Sequence, residues 1–154
     1  MTPPRSGPAS GRPVIDAGRL WAGGAATAAV AALVGLVGVL IAEGLFNVTM
    51  VRPPLLPIGG SFAVQYAVTA AVLALVATLI AHLLALSAPR PQAFLGWIIG
   101  LATLVGVVLP FALEGTLVGR IATSIVNLLI GTSILSLLRS VLVRTVRPGA
   151  PLYP

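Results

Sequence analysis

Four transmembrane helices in an all-α, antiparallel bundle follow from three features of this 154-residue sequence. Hydrophobic residues make up 58% of it and charged residues only 8%, and the mean hydropathy is +1.09, far from the near-even mix of a water-soluble domain. The apolar residues also run on continuously, without the polar spacing that a water-exposed helix or strand requires. Finally, Pro, Gly and Arg divide these runs into four pieces, each close to the ~20 helical residues that cross a hydrocarbon core. Membrane strands are excluded, because the runs are about twice the roughly ten residues a strand needs and do not alternate. A soluble bundle is excluded because the first and third runs are apolar all round.

Residues 1–18, MTPPRSGPASGRPVIDAG, hold too few apolar groups to offset the entropy of ordering and predict a disordered tail. The transmembrane domain then covers residues 19–143. Its first helix is expected over about residues 20–46, since no charge falls between Arg19 and Glu43. In NVTMVRPPLLPIGG, Pro53, Pro54, Pro57, Gly59 and Gly60 deny the backbone a regular helix and predict a surface loop. The second helix is expected over about 62–86, ended by Ser87, Ala88, Pro89, Arg90 and Pro91. The third is expected over about 94–115, with a kink at Pro110, and the fourth over about 118–143. Residues 144–154, RTVRPGAPLYP, predict a flexible end.

An even number of crossings places both termini on one side, and arginine decides which. All nine basic residues are Arg. Arg5, Arg12, Arg19, Arg90, Arg139, Arg144 and Arg147 fall at one end of the helices and only Arg52 and Arg120 at the other, so both termini are expected in the cytoplasm, in a multi-pass protein of the cell membrane. Trp21, Phe94, Trp97 and Tyr153 lie near that boundary, where interfacial aromatics belong. The formal charge of +6 is scattered over helix ends instead of forming a patch, which points to the lipid bilayer and away from nucleic acid. The Arg-rich tails should favour anionic lipid headgroups, by about 1 kcal/mol for each Arg near the surface.

The chemistry-bearing groups are few. No Cys is present, which removes thiolate metal sites, disulfides and Cys nucleophiles. With His82 as the single histidine, neither a metal site nor a bis-imidazole haem can be assembled within the chain, and no cofactor is expected. The glycine patterns of nucleotide-binding loops and the nucleophile and metalloprotease motifs are missing, so an enzyme is not expected. Glu43 and Glu114 end the first and third helices on the outer side, where Arg120, Gln65 and Asn127 share their depth band with Arg52 and Asn47. These groups form a candidate outer polar cluster, in which carboxylates and guanidinium groups pair to lessen the cost of leaving water. His82, near the cytoplasmic end of the second helix, is a weaker candidate, for a structural hydrogen bond or a proton relay. The pairs Gly96 and Gly100, and Gly115 and Gly119, have the GxxxG spacing of close helix packing, within the chain or in a homo-oligomer.

With the AEGL and LEGTL helix ends at Glu43-Gly44 and Glu114-Gly115, and an Arg-only, Ala, Val and Leu-rich composition, the chain resembles the small four-helix integral membrane proteins of unknown function common in actinobacteria. The resemblance covers the whole chain and implies the fold without an activity. Three functional expectations remain. The first is a non-enzymatic structural or partner-binding membrane subunit, the second a small proton-linked transporter or permeation protein using Glu43 and Glu114. The third is an accessory subunit of a membrane enzyme, helping to enclose a lipid or quinone. Convergence of the two glutamates on a cavity would favour the second.

Overall fold

A computed structural model describes residues 16–52 and 59–145. Nearly all of both expected tails, and the loop prolines Pro53, Pro54 and Pro57, therefore lie outside the described residues. Among those described, the structure is helical with no strand: α1 spans Ala17–Val39, α2 Phe62–Ser87, α3 Pro91–Ala112 and α4 Leu117–Thr145. All four are long and apolar enough to cross a membrane, so the chain is a multi-pass membrane protein.

Side chains at the helix starts explain where each begins. Asp16 Oδ1 accepts the Arg19 backbone N–H at 3.1 Å, Ser61 accepts that of Val64 at 3.4 Å and Thr116 accepts that of Gly119 at 3.1 Å, each satisfying an orphan donor of a first turn. α3 starts at Pro91, three residues before the sequence suggested. Proline at the first helical position lacks only an N–H that would have no partner there, and its fixed φ already suits a helix. α3 also ends earlier, at Ala112, and leaves Glu114 and Gly115 in the link to α4.

α1 does not stop at Val39 but widens into a π-helical turn over Leu40–Leu45. There the Phe46 N–H reaches the Ile41 carbonyl and the Val48 N–H reaches that of Ala42. The chain then turns at Asn47, whose φ of 50° is in the left-handed region that Asn tolerates. Met50 and Val51 fold back and are buried.

Small residues let α1 pack closely on both α2 and α4. Gly24 faces Thr78, and Gly35 meets Tyr66 and Ala70 of α2, whose Ala70, Ala74, Ala77 and Ala81 form the facing stripe. On its other side, a Cβ at Gly38 would lie 2.7 Å from Val126 of α4. α4 contributes Val126, Ile130, Ile134, Leu138 and Leu142 at four-residue spacing to the core. α3 joins mainly through α4, with Gly131 against Thr103 and Gly96 against the Arg139 guanidinium. The order around the bundle is therefore α2, α1, α4, α3, and α2 and α3 meet only weakly although they are neighbours in sequence.

Candidate functional site: a cleft between α2 and α3

Because α2 and α3 pack on α1 and α4 respectively and hardly on each other, a cleft of about 330 Å³ opens between them, with α4 as its floor. Leu73, Val76 and Ile80 of α2, Ile98, Ala102 and Leu109 of α3, and Ile130 and Ile134 of α4 make it predominantly apolar. Its lining runs from Tyr66 to Ile80 on α2, about 21 Å at 1.5 Å per residue, so most of the depth of the bundle borders it.

One end of the cleft is polar, and the cause is covalent. Pro110 has no N–H, so the Gly106 carbonyl four residues earlier loses its intrahelical donor. Asn127 of α4 supplies one, its Nδ2 donating to that carbonyl at 2.6 Å. The Asn127 Oδ1 in turn accepts the Tyr66 hydroxyl of α2, and one turn nearer the start of α4 the Ser124 hydroxyl donates to the Val107 carbonyl at 2.7 Å. Asn127 thus ties three helices together. Above Tyr66, the Phe62 ring packs edge-on at 5.5 Å between centroids, and the Arg52 guanidinium lies 5.0 Å over the Phe62 ring.

The sequence-predicted polar residues share the end of the bundle that holds the 46–52 segment, but among the described residues no hydrogen bond or ion pair joins one of them to another. Half-buried Glu43 accepts the Met50 N–H at 3.2 Å, which holds the returning segment on α1, and Val51 donates its N–H to Thr123 of α4 at 3.0 Å. Gln65 donates to the Gly60 carbonyl at 3.3 Å. Glu114 is exposed in the α3–α4 link. Arg120 is half-buried, and its Nε has no hydrogen-bond partner among the described residues. Among those residues no hydrogen bond or ion pair joins Glu43, Glu114 and Arg120; the ion pair found there is Asp16 to Arg19, 3.8 Å apart at the opposite end. Of the five, only Asn127 lines the cleft. His82 is half-buried with its ring 6.4 Å from that of Trp21, and its Nδ1 has no partner among the described residues.

The glycine pairs also part company. Gly96 receives the Arg139 guanidinium, whereas Gly100 faces open space. Gly115 precedes α4, so it shares no helical face with Gly119, which instead lets the Thr49 backbone carbonyl approach.

Residues 15–144, which contain all four helices, match the model of a family of unknown function, DUF6069. The chain belongs to that family. No curated protein and no solved structure matches it. The geometry of this DUF6069 member is thus the guide to its role. Sequence reasoning missed Tyr66, Thr103 and Gly131 as cleft residues. One signal was present, since Pro110 frees the Gly106 carbonyl and Asn127 on the next helix can answer it.

Proposed function

We propose that this DUF6069 member is a non-enzymatic binding protein of the cell membrane, with both termini cytoplasmic and the α2–α3 face as its working surface. The observation that carries this reading is the cleft itself: three helices line an apolar space that opens sideways, at the depth where bilayer hydrocarbon surrounds the bundle. Ligand sites combine such apolar walls with a few placed polar groups, and here Tyr66, Thr69, Thr103 and Asn127 border the cleft with their donors used inside the bundle, which leaves it an apolar site. The positions of Glu43 and Glu114 support this reading over proton-linked transport, because neither borders the cleft. Of the cations among the described residues, Arg19, Arg90, Arg139 and Arg144 fall at the end proposed as cytoplasmic.

The lack of cysteine makes a direct test available. Single cysteines carrying spin labels at Leu73 and Ile98, on the cleft, are compared in native-membrane vesicles with labels at Leu33 and Leu129, which are similarly exposed on other faces. Restricted motion confined to Leu73 and Ile98 is expected. Equal mobility at all four positions would refute the assignment of the face.

A further inference from the structure

We infer that the cleft holds one hydrocarbon tail of an anionic glycerophospholipid, whose phosphate-bearing headgroup sits at Arg52. This inference rests on the α2–α3 face being the working surface and names its occupant.

Shape is the first argument. The lining extends about 21 Å along α2 and, from Ile98 to Leu109, about 17 Å along α3, long enough to take in the ~15 Å of hydrocarbon in one leaflet. The space is long for its volume and suits a flexible hydrocarbon chain. Apolar walls at this depth also disfavour water, so surrounding acyl chains are the molecules at hand to fill it.

Charge is the second argument. The cleft begins at Tyr66, within two turns of the start of α2, and from there the Phe62 ring leads to the exposed Arg52 guanidinium in two aromatic steps of 5.5 Å and 5.0 Å. A tail threaded past Tyr66 therefore brings its headgroup toward a cation outside the hydrocarbon. Arg120 adds a second guanidinium at this end, seven residues before Asn127 and so on the same face of α4, with its Nε unpartnered among the described residues. The carboxylates at this end, Glu43 with the Met50 N–H and exposed Glu114 in the α3–α4 link, do not border the cleft. Guanidinium groups bind phosphate oxygens through paired donors, which a zwitterionic headgroup offsets with its own cation.

Native mass spectrometry of the full chain, released from micelles containing equal phosphatidylglycerol and phosphatidylcholine, tests the inference. The expected result is one retained phosphatidylglycerol per chain, at least tenfold favoured over phosphatidylcholine. Ala102→Phe, which pushes a ring into the cleft, should cut retention at least tenfold, while Leu101→Phe, on the neighbouring lipid-facing position, should leave it unchanged. Arg52→Gln should keep a bound tail but equalise the two lipids. Retention untouched by Ala102→Phe, no preference in the parent chain, or a dimer that Ala102→Phe dissolves would each overturn the proposal. If the spin labels at Leu73 and Ile98 are immobilised while no lipid is retained, the lipid assignment fails and the working face stands.

Discussion

Gly106, Pro110, Asn127 and Tyr66 form one chain of cause at the residue scale. Proline withholds an amide hydrogen, the Gly106 carbonyl is left without its donor, and Asn127 answers it while accepting from Tyr66. In hydrocarbon the carbonyl has no water to turn to, which is why a polar side chain is kept there. Asn127→Ala should destabilise the bundle by about 1–2 kcal/mol, since side-chain hydrogen bonds between membrane helices average about 0.6 kcal/mol and two are lost. Pro110→Ala restores the missing N–H, so Asn127→Ala should cost about 0.5–1.5 kcal/mol less in that background. A double-mutant cycle, read by denaturing-detergent titration in mixed micelles, checks this; strict additivity would break the proposed link. Asn127 was legible in the sequence as a polar residue at the right depth, but its partners were not. Depth follows from position along a helix, whereas the choice between Glu114, Arg120 and Tyr66 as neighbours depends on helix rotation.

Elements are held by close approach where residues are small, and the glycines show which approaches matter. Any Cβ at Gly24 would collide with Thr78, and one at Gly119 with the Thr49 backbone carbonyl, whereas Gly100 has nothing within 4 Å. Gly24→Ala and Gly119→Ala should therefore each cost about 1–3 kcal/mol in the same titration, by forcing α1 from α2 or the 46–52 segment from α4. Gly100→Ala should change stability by less than about 0.5 kcal/mol. The GxxxG spacing made Gly96 and Gly100 look equivalent, although they face different surroundings. Spacing marks a shared stripe, and a stripe does not say what lies opposite. The caps Asp16, Ser61 and Thr116 act within three residues of themselves, so they are signals in the sequence, although the expected helix starts were drawn from charge and hydropathy alone. The start of α3 was misplaced because proline was read as a stop when here it begins the helix.

At the scale of the whole molecule, orientation and the open cleft are separate matters. Reporter fusions should place both ends in the cytoplasm, following the arginine bias. Phosphatase activity from a C-terminal fusion, which requires export, would reverse the proposed orientation without altering the fold. By itself the sequence determined that four helices cross a bilayer, because lipid offers no partner to a backbone amide and each apolar run must satisfy its own hydrogen bonds within about 20 residues. Only the tertiary structure decided that α1 lies between α2 and α4, that α3 hangs on α4 and that α2 and α3 part to leave a cleft. Hydropathy cannot carry that information: a leucine facing lipid and a leucine facing another helix are in equally apolar surroundings, so neighbours are chosen by the fit of small residues and a few hydrogen bonds.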